Sequence, residues 1–339
     1  MKRILISILL VLCLVLSFSA CGAKNPTPDA SSDSLDSTSS TESKEPNILS
    51  VAQLELSPGT GGMSYVITLK DEGFIIIDGG TGGSTYYNKH SSTLFNYIFN
   101  RTPSGEKPVI LGWFFTHFHS DHVQLASEFL IEQADRLDVR AFYINPAGDD
   151  DSSREFEMED LVKRAVDAHP NADKNYIKTG QKIEFPHCTV DILLTSANLN
   201  TKGDTAPNNL SAVFKMNFDT DKSFLVTGDS DHDRILQLFN KNSDVYLPLE
   251  DLKCDIYQTP HHGRSLGDAS DALRMKTRYE QLNPPIVFFP VAQKHYEEDE
   301  FYNDKKWAEN YYLINNSGAQ CFHQSLTVTV NMEDLSIDY

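Results

Sequence analysis

From Asn47 onward the chain is dominated by short apolar runs separated by turn residues, a spacing that reads as strands more often than as helices. Ile48 to Leu56, Ser64 to Leu69 and Phe74 to Asp78 are three such runs. A Gly-Thr-Gly-Gly segment and the turn Asp71-Glu72-Gly73 divide them, which predicts a hairpin meander. After Gly79-Gly80 the pattern predicts a helix around Ser91 to Phe99, a buried strand from Val109 to Thr116, a helix from His122 to about Ala134, and a strand from Val139 to Asn145. A third helix is predicted from Ser152 to Ala168, with apolar positions at Phe156, Leu161, Val162 and Val166. Strands then dominate from Tyr176 to Thr227, clearest at Ile192 to Thr195, Ser211 to Phe218 and Ser223 to Thr227. The rest reads as a helix at Asp231 to Phe239, strands at Asp255 to Thr259 and Ile286 to Val291, a helix near Tyr302 to Ile314, and a strand at Leu326 to Val330. Two similar passes of alternating strands and helices predict an α/β fold with two sheets packed face to face and helices outside.

The first 46 residues follow a different pattern. Met1, Lys2 and Arg3 precede an apolar run from Ile4 to Leu16 and then small residues up to Cys21, the order of a secretory signal. The run is shorter than the roughly 20 residues of a spanning helix. Phe18-Ser19-Ala20-Cys21 resembles a lipobox, so residues 1–21 are expected to be a lipoprotein signal peptide whose Cys21 becomes the lipidated first residue. Residues 22–46 are Ser, Thr, Asp and Pro with almost nothing apolar, a composition that cannot offset its ordering entropy and is expected to be a tether. Residues 47–339 have the length and composition of one large globular domain.

Charge narrows the partners. The chain has 48 acidic against 29 basic residues, and losing the signal removes Lys2 and Arg3 but no acid. No cluster of Lys and Arg is available to displace phosphate counterions, so a nucleic-acid partner is disfavoured. Cys188, Cys254 and Cys321 lie in strand-like runs without metal spacing and read as small core residues rather than a disulfide framework.

Candidate chemistry concentrates in Thr116-His117-Phe118-His119-Ser120-Asp121-His122, directly after an apolar strand. Alternate residues of extended backbone point the same way, so His117 and His119 can share one metal, and Asp121 and His122 past the turn can face a second. Imidazole and carboxylate are the usual ligands of catalytic zinc. Two zinc ions are therefore expected, with manganese as the alternative metal.

With His-x-His-x-Asp-His after a strand, the chain resembles the metallo-β-lactamase superfamily over nearly all of residues 47–339. The resemblance implies a four-layer αββα metallo-β-lactamase sandwich. It also implies that Asp78, in Ile75-Ile76-Ile77-Asp78-Gly79-Gly80, orients the metal centre, and that Asp229, in Thr227-Gly228-Asp229, bridges the metals. Pro260-His261-His262-Gly263 looks like the late motif that supplies the last ligand. Spacing leaves open which histidine binds; His261 is the expected ligand, with His262 acting on the leaving group. Most members carry a further His ahead of the bridging Asp. Here only His169 and His187 stand between His122 and Asp229, and both read as structural. Asn208-Asn209-Leu210-Ser211 resembles the Asn-rich stretch of the branch that contains competence DNA-uptake channels and surface phosphorylcholine esterases, so Asn209 or water is expected to complete the first site. His232 is a further neighbour by spacing; His90, His295 and His323 read as ordinary.

The expected activity is hydrolysis by a hydroxide shared between the metals, with Asp121 orienting it. Asn209 and His262 are the expected groups at the leaving oxygen. By resemblance, a phosphodiester on a small or surface-attached molecule is the expected substrate. The competing readings are a metal-binding surface module without catalysis and an extracellular nuclease.

Overall fold

The computed structural model describes residues 47–56, 62–145, 153–198, 207–230, 232–263, 280–292 and 318–339. The expected signal, tether and late helix, and His295, lie outside these residues. So do the side chains of Asn209 and His232.

The first sheet contains β1 (Ser50–Gln53), β2 (Ser64–Thr68), β3 (Phe74–Asp78), β4 (Val109–Phe115), β5 (Asp138–Val139), β6 (Ala141–Ile144) and β7 (Asp173–Tyr176). The second contains β8 (Lys182–Phe185), β9 (Cys188–Leu194), β10 (Val213–Phe218), β11 (Ser223–Val226), β12 (Ile256–Gln258), β13 (Ile286–Phe289) and β14 (Gln320–His323). The closing strands β15 (Val328–Asn331) and β16 (Ile337–Asp338) return to the first sheet. Among the described residues the orders are β16-β15-β1-β2-β3-β4-β6-β7, with β5 on β4, and β14-β13-β12-β11-β10-β9-β8. Each sheet is antiparallel over part of its width and parallel over the rest: β3, β4, β6 and β7 in one, β11 to β14 in the other.

The strand period sorts side chains into layers. Ile75, Ile77 and Phe114 face a core shared with Ile192, Phe214, Phe224, Ile256 and Phe288 of the second sheet. Their sequence neighbours Phe74, Ile76, Trp113 and Phe115 face outward. There they meet α1 (Gly83–Asn100), α2 (Ser120–Glu132) and α3 (Ser153–Asp167) through Leu94, Ile98, Val123, Phe129 and Val162. The far face of the second sheet packs Leu225 and Val287 against Leu238 and Leu252 of α4 (His232–Phe239) and α5 (Leu249–Leu252). The result is the four-layer αββα sandwich expected. Each fully buried Phe or Ile contributes about 1.5–3 kcal/mol relative to leaving it in water.

Two helix starts and two strands differ from the sequence reading. Helix α1 begins eight residues earlier than its apolar period predicts. Polar contacts hold its first turns: the Tyr87 hydroxyl bonds Glu132 on α2, and His90 Nδ1 donates to the Thr81 carbonyl at 2.7 Å. Helix α2 begins at Ser120 rather than His122, so Asp121 and His122 both ride its first turn. β14 and β16 are polar or very short and carry too little apolar pattern to announce themselves.

Cys188 and Cys254 are buried free thiols and Cys321 is a half-buried one, as the sequence suggested. No helix of the described residues is long and apolar enough to cross a membrane.

Candidate metal centre

The centre lies beyond the carboxyl ends of parallel strands, where chain direction leaves loops free to converge in an open α/β sheet. β3 delivers Asp78, β4 delivers His117 to His122, β11 delivers Asp229, and β12 delivers His261 and His262.

Asp78 is fully buried and saturated. Its carboxylate accepts the Thr116 N–H at 2.8 Å, the Thr116 hydroxyl at 2.6 Å and His122 Nδ1 at 2.7 Å. Burial raises its pKa and these bonds oppose the rise. Because Thr116 Oγ1 gives its proton to Asp78, its lone pair can accept from His117 Nδ1 at 3.2 Å. One carboxylate thereby fixes the ring orientation of two histidines. Between them Phe118 turns the other way, into the outer core, and His117 and His119 lie with ring centroids 4.6 Å apart.

The second half is held by backbone that few residues adopt. Gly228 has φ +55°, and a Cβ there would sit 2.8 Å from Ser211 Cβ. The Asp229 N–H donates to Ser211 Oγ at 2.9 Å, which aims its carboxylate at the histidines. His261 and His262 are both left-handed, at φ 48° and 57°. Such strain is retained where surrounding contacts over-determine it. Here the His261 N–H donates to the Gly228 carbonyl at 3.1 Å, and His262 Nδ1 donates to the Pro290 carbonyl at 2.7 Å.

Three imidazoles therefore have Nδ1 engaged and present Nε2 inward. The Nε2 atoms of His117, His122 and His262, with Asp229 Oδ1, are buried and make no hydrogen bond. A buried polar atom left unpaired costs about 1–3 kcal/mol. Several aimed at one point, each imidazole nitrogen a lone-pair donor once its proton is displaced, fit a cation. The ligand atoms form two groups, each within 4.8 Å: Asp121, His122, Asp229 and His262, and His117, His119 and Asp229. Asp229 belongs to both. His122 Nε2 is 3.1 Å from Asp229 Oδ1, and His262 Nε2 is 3.1 Å from Asp121 Oδ2 and 3.4 Å from Asp229 Oδ2.

Charge follows the same layout. Burial pushes His122 down, but Asp229 and Asp78 outweigh it and raise its pKa to about 10. Burial likewise opposes protonation of His262, and Asp229 and Asp121 overcome it. His117 and His119 are lowered, by burial first, and stay neutral with a lone pair available. Asp229 resists the upward push of burial through His122 and His262 and stays ionised.

The placement reverses one expectation. His262, not His261, joins the ligand group, because the left-handed turn points successive rings apart and it is the second that faces Asp121 and Asp229. His261 Nε2 stands 4.0 Å from Asp229 Oδ2 and accepts from Asn208 Nδ2 at 3.1 Å. Asn208 thus takes a place at the centre's edge; Asn209 was the residue named from sequence. His169 bonds the Leu130 carbonyl and His187 pairs with Asp219, both away from the centre. His323 stacks on Phe289 and His90 serves α1.

Sequence reasoning missed the ties beneath the ligands. Asn145 Nδ2 donates to the Thr116 carbonyl at 2.8 Å and also to the Leu210 carbonyl, linking the two sheets. Arg234, buried on α4, donates to the Ser211 carbonyl at 2.8 Å. Gln258 accepts the Thr227 N–H at 2.7 Å and donates to the Gly228 carbonyl at 3.0 Å. An Arg between the apolar positions of α4 was the one available signal; Asn145 gave none.

No family model and no curated protein matches the sequence. Among solved structures, the metallo-β-lactamase fold protein YhfI from Bacillus subtilis aligns over 83% of this chain and 98% of its own, at 11% identity and a TM-score of 0.51. Igni18, a metallo hydrolase from the archaeon Ignicoccus hospitalis, aligns over 83% and 98% at 15% identity and a TM-score of 0.46. Unliganded yeast PDE1 aligns over 81% and 97% at 11% identity and a TM-score of 0.45. The likeness to YhfI establishes the metallo-β-lactamase fold.

Proposed function

We propose that this protein is a dinuclear metal-dependent hydrolase that cleaves a phosphodiester or related ester. The observation that carries the reading is Asp229, a buried carboxylate common to two ligand groups in which the Nε2 atoms of His117, His122 and His262 make no hydrogen bond. A structural zinc site would be closed by four residues, often Cys. Among the described residues the His117 group offers three ligands, and His119 and Asp121 are partly exposed, so the centre opens on their side. When bound, two divalent ions supply a water of lowered pKa and neutralise charge developing on the substrate.

The chain's own residues do the positioning. Asp78, Thr116 and the Pro290 carbonyl hold the imidazoles in the tautomer that leaves Nε2 for metal. Asp121, at the open edge, would orient a water held there. His261, paired with Asn208 at the edge of the centre, is the candidate partner of the leaving oxygen. Zinc is the metal this imidazole and carboxylate set favours, with manganese the alternative. The phosphodiester preference is inferred from the likeness of Thr227-Gly228-Asp229 and Pro260-His261-His262-Gly263 to the phosphorylcholine-esterase and competence-channel branch. The acidic chain repels a long polyanion more than a small diester. Hydrolysis of bis(p-nitrophenyl) phosphate, phosphorylcholine esters, a chromogenic cephalosporin and linear DNA, each compared with Asp121→Ala, tests the assignment. Cephalosporin turnover above the diester rate and lost in that variant contradicts it; metal-dependent DNA cleavage replaces it with a nuclease.

We also propose that the protein is secreted and held on the outer membrane face through Cys21, on the strength of the lipobox-like segment and the polar stretch after it. Unchanged membrane association of Cys21→Ser contradicts this.

A further inference from the structure

We infer that the two metal positions are unequal: Asp121, His122, Asp229 and His262 form the tight site that fills first, and His117 and His119 with the shared Asp229 form the weaker, open one. The inference rests on the proposal that the cluster holds two ions.

Four features of the chain support this order. Among the described residues the first group offers four ligands and the second three, which leaves the second the less complete of the two. The first group holds two carboxylates, which balance a dication, whereas the second holds two imidazoles and one carboxylate already drawn toward the first. Both histidines of the first group are anchored at 2.7 Å, one on the buried Asp78 carboxylate and one on the Pro290 carbonyl. The corresponding anchor of His117 is a hydroxyl at 3.2 Å, a longer bond to an uncharged acceptor. A charged outer partner raises ligand basicity, and losing one costs about 10–100-fold in affinity. Finally, an ion in the first group repels the second across Asp229, which widens the gap between the two steps.

The order is tested by stripping the full chain with a chelator and titrating it with cobalt(II), followed by visible absorption and by calorimetry. The expected result is two steps separated by at least about tenfold. His119→Ala should abolish only the weaker step, and Asp121→Asn should abolish or weaken the tighter one. Thermal unfolding of the metal-free variants checks that each is folded, and His262→Gln replaces Asp121→Asn if that variant is not. A single step in the folded wild type, or loss of the tight step in His119→Ala, overturns the inference while leaving two-metal binding intact. No uptake by the wild type overturns the two-metal proposal itself, and this inference with it.

Discussion

After β4, four prospective ligands come from six consecutive residues, His117 to His122, while Asp229 and His262 arrive singly from the ends of β11 and β12. The backbone of the first set needs only a strand that stops and a helix that starts, with Asp78 behind it fixing two of the rings: alternation sends His117 and His119 to one side, and the first turn of α2 presents Asp121 and His122. The second set needs left-handed backbone at Gly228, His261 and His262, and ties from the Ser211 and Gln258 side chains and the Pro290 carbonyl to aim it. Local chain geometry can thus build half of a dinuclear centre. The other half depends on tertiary contacts that over-determine strained residues.

The comparison can be broken most severely at the residue common to both halves. Asp229→Ala should abolish binding at both positions, a loss of at least about 100-fold in zinc affinity measured by competition with a chromophoric chelator. Retention of one tight ion would show that the halves are independent. Asp78→Ala acts on the first half from behind. It strips partners from the buried Thr116 N–H and His122 Nδ1, and should lower metal affinity about 10–100-fold. Asp78→Asn should recover part of this, since its carbonyl oxygen still accepts from His122. An Asp78→Ala protein with wild-type affinity would remove Asp78 from the account.

How much of this was legible in the sequence follows from the same contrast. The contiguous ligands, Asp78 and Asp229 stood in short motifs beside apolar strands, and the layered fold followed from strand and helix periods. Which of His261 and His262 turns inward was not legible, because spacing left it open and two left-handed residues in succession decide it. Asn145 and Arg234 gave little or no signal, since their role is to bond carbonyls that only the folded chain brings near. The early start of α1 was hidden because polar contacts, not an apolar stripe, hold its first turns.

A smaller effect sharpens the second half. Gly228→Ala places a Cβ 2.8 Å from Ser211 at φ +55°, and should destabilise the fold by about 1–3 kcal/mol in urea unfolding. Metal affinity should fall with it, because Asp229 hangs from the displaced turn. An unchanged unfolding midpoint would mean that the turn is not constrained.

The smallest effect is one of protons. In metal-free protein His122 has its pKa raised to about 10 and His262 is also raised, so both are charged at neutral pH. A metal must displace those protons, so affinity should rise with pH through the neutral range and fall on acidification. Calorimetry in buffers of different ionisation enthalpy should register about two protons released as the four-ligand group fills. Uptake without proton release would contradict the assignment of His122 and His262 to that group.

If Asp229 joins two metal positions on one αββα scaffold, anomalous diffraction at the zinc edge from crystals grown with zinc should show two peaks, one on either side of the Asp229 carboxylate, with His262 ligating and His261 beside Asn208. No peak at the cluster, or a single ion closed by four side chains, would contradict it.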